Sequence, residues 1–271
     1  MKLLDRGKRI VMEAVDDNIT GEAAKATYYF FLSLFPMILV AFALTGMFGG
    51  EAAFDHIMAW LGTLLPGAAS EMVEGVVREV THGRNPGALS VGLVLTLWAA
   101  SNYFAALGDA LDVMFDVRDK SSWLRKRGKS FLLMLVGAAL LIGSALALIA
   151  GPEIAYAVGI SGVFAWLAWP IVFAALVALF WLTYYILPAH DQNSMRRELL
   201  IGAIVGTTLW LLATLAFRTY VSNFAQYDRM YGFIGGIIVL LLWLYITSMA
   251  VLLGAETANV LADEHGSAPP A

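Results

Sequence analysis

Apolar residues gather along this chain in runs long enough to cross a bilayer, with polar knots between them. The runs are Tyr28–Phe48, a stretch from about Ala88, Phe131–Ala150, Val163–Leu187, Leu199–Val221 and Ile234–Leu261. A helix needs about 20 apolar residues to span the hydrocarbon core. The pattern therefore predicts six transmembrane helices. Pro36 and Pro170 lie inside two of them and remove backbone donors there, so both positions predict bending.

The segments between the runs are of two kinds. Residues 1–25 are too polar to span. Leu3, Leu4, Val11, Ala14, Val15 and Ile19 make one stripe, and Lys2, Arg6, Lys8, Arg9, Glu13 and Asp17 carry the charge. This predicts an amphipathic helix lying on the membrane surface. A signal peptide is the competing reading, but the run at Tyr28–Phe48 is longer than an ordinary h-region and further spans follow. Residues 50–87 form a loop with two short helical patterns, closed by Asn85-Pro86-Gly87. The tail 263–271 is small, polar and proline-containing, and is expected to be disordered. The architecture expected is one all-α domain over 1–262, a polytopic six-span bundle with that N-terminal interfacial helix.

Charge sets the orientation. Thirteen of the 17 Lys and Arg residues lie in the N-terminal segment, the linker from Arg118 to Lys129 and the pair Arg196-Arg197. Arg78, Arg84, Arg218 and Arg229 fall on the other side. The positive-inside rule then puts both termini in the cytoplasm and 50–87 outside. The inner basic segments would also attract anionic lipid headgroups.

Composition agrees: 60% of residues are apolar and 14% charged, against about 45–50% and about 25% in soluble domains. The formal charge of −4 gives no footprint for nucleic acid. The absence of cysteine excludes disulfides and thiolate metal sites. The histidines at 56, 82, 190 and 265 fall on different segments, and no HExxH, GxSxG or ATP-binding motif is present. No metal, cofactor or catalytic residue is therefore assigned. Protein partners and oligomeric state stay open.

Two polar constellations remain. The inner one joins Tyr28, Asn102, Asp109, Glu256 and Asn259, with Leu107-Gly108-Asp109 echoing Leu253-Gly254-Ala255-Glu256. Ionisable groups at membrane depth pair with one another or meet water. These residues either line a cytoplasmic cavity that binds a substrate, cation or proton, or sit at headgroup level paired with Lys25, Arg125 or Arg196. Asp109, Asp112 and Asp116 share a helical face at three- and four-residue spacing. The outer constellation is Arg218, Tyr227, Asp228, Arg229 and Tyr231. It either holds an anionic headgroup at an outer gate, through the bidentate fork of arginine, or closes as a structural turn with Asp228 paired to Arg218 or Arg229. Gly232, Gly235 and Gly236, just after it, read as positions of close helix packing.

The residues Tyr28-Tyr29-Phe30-Phe31-Leu32-Ser33-Leu34-Phe35-Pro36, Ala106-Leu107-Gly108-Asp109-Ala110-Leu111-Asp112, Arg196-Arg197-Glu198-Leu199, Tyr227-Asp228-Arg229-Met230-Tyr231-Gly232 and Leu253-Gly254-Ala255-Glu256 occur in an order and spacing that resembles the YihY/virulence factor BrkB family. The resemblance covers nearly the whole chain. It implies a bacterial inner-membrane protein of six helices, linked to serum resistance and to lipid or envelope export. The function expected is transport or translocation of a lipid-like or amphipathic envelope component. The alternative is a non-enzymatic scaffold or envelope-assembly factor acting through partner binding. Some relatives carry a ribonuclease label, for which the residues here offer no support.

Overall fold

The computed structural model describes residues 3–48, 97–99, 101–117, 122–137, 139–140, 161–189, 192–224 and 228–266. Among these residues every regular element is helical: α1 Leu3–Asp16, α2 Ile19–Phe48, α3 Asn102–Met114, α4 Ser161–Ile186, α5 Arg196–Phe224 and α6 Asp228–His265. Residues 123–137 are helical as well, and a short 3₁₀ turn, Gln192–Met195, leads into α5. The loop 50–87 lies outside the described residues.

Among the described residues, three helices are long and apolar enough to cross a membrane: Trp169–Ile186, Arg196–Val221 and Gly235–His265. Only 22–28% of each window is buried within the protein. A helix apolar all round needs an apolar surrounding. Here most of that surrounding is not protein, as Trp169, Leu212, Leu215 and Ile238 are all more than half exposed. The fold is therefore that of a membrane protein whose spans present Leu, Ile and Trp to lipid.

The packed core sits toward one end. It gathers Ala14 of α1, Ala23 and Ala26 of α2, Leu107, Leu111 and Met114 of α3, Tyr184 of α4, Leu199 and Ala203 of α5, and Leu252, Ala255, Ala258 and Ala262 of α6. Many of these are alanine. In lipid there is no hydrophobic drive between helices, and small residues let backbones approach for dispersion and polar contacts. The closest approach is between α5 and α6. A Cβ added at Gly202 would run into the carbonyl oxygen of Gly254 and come within 2.8 Å of the Ala258 Cβ. One added at Gly254 would meet the Gly202 oxygen at 2.8 Å and the Gly206 Cα at 2.9 Å. Tyr184, fully buried, seals the same crossing from α4 by donating its hydroxyl to the Val251 carbonyl at 2.7 Å. Gly236 does not share this role: a Cβ there meets nothing within 4 Å.

Helix bounds depart from the apolar runs in one direction. α2 begins at Ile19 and α6 at Asp228, well before their bilayer-length portions, because helical hydrogen bonding does not end where the hydrocarbon does. α2 also continues past Pro36, and α4 past Pro170. At its far end α6 extends through Asp263, Glu264 and His265, into the stretch read as a polar tail. Ion pairs hold that last turn. Arg6 Nε of α1 reaches Glu264 Oε2 at 2.8 Å, Arg9 Nη2 reaches Asp263 Oδ2 at 2.7 Å, and His265 Nδ1 lies 3.0 Å from Glu198 Oε1. Glu198 stands in the first turn of α5 and His265 in the last turn of α6, the ends where helix dipoles favour a negative and a positive charge.

Candidate functional site

The end of α6 that these pairs secure also holds Glu256 and Asn259, both deeply buried, at 0% and 3% exposure. Glu256 stands two residues from both Gly254 and Ala258, so it lies on the face of α6 turned away from the α5 crossing. Neither of its carboxylate oxygens receives a hydrogen bond from any described residue. A buried carboxylate with no donor forfeits its hydration uncompensated, a cost of several kcal/mol on the order of that for other orphaned polar groups.

The charges around Glu256 are acidic. The fields that reach it come from Asp17, Glu13 and Asp116. Three separate elements deliver them. Glu13 lies on α1, where Arg9 holds it from the outer side at 2.7 Å. Asp17 follows directly, in a last helical turn closed by its N–H on the Glu13 carbonyl at 2.8 Å. The chain then enters α2 through Asn18, whose φ of 52° is a left-handed conformation that asparagine tolerates. Asp116 sits just past the C-terminus of α3, also left-handed at φ 53°, and accepts the Asn259 Nδ2–H at 3.3 Å. Asn259 thus holds Asp116 in place one helical turn from Glu256.

Asp17 lies outside the apolar spans, and its carboxyl is pushed up to about 6, first by burial and then by Asp116, Glu13 and Asp16. The consequence for stability has a definite sign. Between the unfolded value of about 3.9 and about 6, the folded protein binds more protons than the unfolded chain, so stability falls as pH rises. Above that window the loss is complete. Asp17→Asn should flatten melting curves recorded from pH 4 to pH 6 and leave the variant more stable than the parent at pH 7. An unchanged slope would contradict the placement of Asp17 in the acidic cluster.

The other inner residues go elsewhere. Asp109 is half exposed and takes Lys126 Nζ at 2.8 Å. Asn102 accepts from Arg127 Nη1 at 2.7 Å, and that guanidinium lies 4.1 Å over the Trp98 ring. Tyr28 is 59% exposed, edge-on to Tyr29. Asp112, nearly buried, caps the backbone N–H of Ala189 at 2.8 Å. The three acids thus divide: Asp109 and Asp112 both reach Lys126, at 2.8 and 3.9 Å, Asp112 also holds the turn after α4, and Asp116, just past α3, turns to α6. Glu256, Asn259 and Asp116 come together, joined by Glu13 and Asp17, which the charge pattern alone assigned to the polar face of α1. Their i, i+4 spacing was the available signal. Two like charges so placed destabilise a free helix, which marks that face as one shaped by something other than water.

Of the outer constellation, Arg218 is exposed near the end of α5. Tyr227 and the side chains of Asp228, Arg229 and Tyr231 lie outside the described residues. Among the described residues no group of three or more His, Asp or Glu is placed to hold a metal ion.

The family model described as virulence factor BrkB matches residues 10–271. The chain belongs to this family. Within it, the ribonuclease-like protein YfkH of Bacillus subtilis (strain 168) is 31% identical over 249 residues, covering 89% of each chain. A UPF0761 membrane protein of Aeromonas salmonicida (strain A449) is 28% identical over 252 residues, 91% of this chain and 85% of its own. Another, of Pseudoalteromonas atlantica, is 26% identical over 253 residues, 90% and 82% respectively. No solved structure matches this BrkB-family chain. The names of most of these relatives state membrane residence and nothing more, which fits the exposed apolar faces of α4, α5 and α6.

Proposed function

We propose that this BrkB-family protein is a non-enzymatic, multi-pass transporter of the bacterial inner membrane, with cytoplasmic termini, that moves a lipid-like or amphipathic envelope component. Glu256 carries the reading. A helix that only anchors would be at least as stable with leucine at this position, because a buried carboxyl without a donor opposes folding. Its full burial supports a working group rather than an anchor. In this reading α6 joins the two polar ends, with Glu256 and Asn259 on the inner side and Arg218, Asp228 and Arg229 toward the outer one. The test is reconstitution of the full chain in phosphatidylcholine vesicles carrying a fluorescent phospholipid in one leaflet. Transbilayer movement should exceed that of protein-free vesicles when a pH gradient is imposed; movement at the protein-free rate under every gradient tried would sink the reading.

A scaffold or assembly role is the second reading, and one observation favours it. The ion pairs from Arg6 and Arg9 fix α1 on α6 so that Val11, Met12 and Val15 stand 60%, 55% and 69% exposed. That apolar edge suits the membrane surface or an apolar partner. Site-specific crosslinking from Val15 in native membranes separates the two: lipid adducts favour the surface helix, and one recurrent protein adduct favours the scaffold.

A further inference from the structure

Two stripes of side chains face each other where α4 meets α5. On α4, Phe173, Val177, Trp181 and Tyr185 follow one another at four-residue spacing, and on α5 Arg196, Leu200 and Ile204 do the same. Between them lies a groove of about 380 Å³. Its walls, Phe173, Ala174, Val177, Trp181, Leu200 and Ile204 among them, are apolar throughout. At one end the stripes turn polar, and there they bind each other. Arg196 Nη2 donates to Tyr185 Oη at 3.2 Å, with the guanidinium carbon 5.5 Å from the centre of the Tyr185 ring. Trp181 stacks on Tyr185 at 5.2 Å and 7°, and donates its Nε1–H to the Arg196 carbonyl oxygen at 3.3 Å.

We infer that this groove binds an anionic glycerophospholipid, with one acyl chain lying between α4 and α5 and the phosphate held by Arg196 at the groove's end. The inference needs membrane residence alone, and stands whether or not the protein moves lipid.

The polar end sets the depth. Trp and Tyr gather at headgroup level, and an arginine beside them reaches the same layer while its stem stays in apolar surroundings. A guanidinium offers phosphate oxygens a planar fork. Tyr185 and the Trp181 bond to its backbone hold Arg196 at the end of the groove, so less freedom is lost when a headgroup docks. Glu198, two positions on, falls on the opposite face of α5, where it is buried and paired with His265.

Dimensions decide between a lipid chain and a protein helix. From Phe173 to Trp181 the groove runs about 12 Å, and a helix of that length and about 10 Å across occupies about 900 Å³. That is more than twice the space present, whereas a single hydrocarbon chain is slender enough to lie inside. Charge complementarity then favours an anionic lipid over a zwitterionic one, whose own cation offsets its phosphate.

The experiment is tryptophan fluorescence of the full chain in phosphatidylcholine vesicles. A minor fraction of the lipid is either phosphatidylglycerol or phosphatidylcholine brominated in its acyl chains, which quenches tryptophan on contact. The Trp181 signal is the difference between the wild type and Trp181→Phe. Brominated phosphatidylglycerol should quench that signal about fivefold more effectively than brominated phosphatidylcholine, the preference expected of one basic residue at an anionic headgroup. Arg196→Gln should abolish the preference, and Ala174→Phe, which fills the groove from an exposed position, should protect Trp181 from both lipids. Should Arg196→Gln fail to fold, Arg196→Lys decides: it keeps the charge without the fork, and should weaken the preference about twofold or more. Equal quenching by the two lipids, or a preference that survives substitution of Arg196, overturns the proposal. So does a Trp181 signal that neither lipid quenches, which would mean that protein, such as a second copy of this chain, covers the groove.

Discussion

Gly202→Val and Gly254→Val will each prevent α5 and α6 from closing, and little folded protein will be recovered from membranes. A single Cβ at either position already meets backbone atoms of the facing helix, within 2.8 Å where Gly254 faces the Gly202 oxygen. Backbone cannot rotate away as a flexible side chain can. Overpacking a core costs about 1–3 kcal/mol where side chains give, so the expectation here lies at or above the upper end. The crossing also carries the bond from Tyr184 to Val251, which would be lost if the helices separate. Gly236→Val is the matched control. It has the same chemistry on the same α6, with open space around the site, and should change stability by no more than about 0.5 kcal/mol. Thermal unfolding in detergent, read alongside expression level, checks the contrast. Equal behaviour of the Gly202 and Gly236 variants would mean that the α5–α6 crossing is not as close as described.

That contrast also marks how far the chain could be read in advance. The apolar runs at 163–187, 199–221 and 234–261 correspond to α4, α5 and α6, since twenty apolar residues in a row have few other uses. The glycines that make contact could not be told from those that do not. Gly232, Gly235 and Gly236 cluster conspicuously, yet closeness depends on which helix lies opposite, and that is a tertiary fact. Gly202, Gly206 and Gly254 are spread over two elements and reveal themselves only when α5 and α6 are paired. The acids follow the same logic. Glu256 stood out because a carboxylate ends an apolar run. Its expected companion, Asp109, carries a similar local motif, but local similarity carries no information on which way a helix faces. Asp109 turns toward Lys126. Glu13 and Asp17 looked like the solvated side of an amphipathic helix, and the docking of α1 on α6 through Arg6 and Arg9 places them beside Glu256 instead.

The second large effect separates these two acids. Glu256→Gln removes a buried ionisable group while preserving its shape; Asp109→Asn removes one partner of an exposed pair, worth at most about 1 kcal/mol. Function is expected to belong to Glu256. Glu256→Gln should reduce transport by at least tenfold, corresponding to about 1.4 kcal/mol or more in the rate-limiting step, with the protein still folded. Asp109→Asn should change it less than about twofold.

The most direct measurement is therefore lipid movement in vesicles under an imposed pH gradient, recorded side by side for the wild type, Glu256→Gln and Asp109→Asn at matched protein content. The account predicts that the wild type and Asp109→Asn respond to the gradient and that Glu256→Gln does not. Full activity in Glu256→Gln, with loss in Asp109→Asn, would contradict it and move the working site to the seam between α3 and the basic helical stretch 123–137.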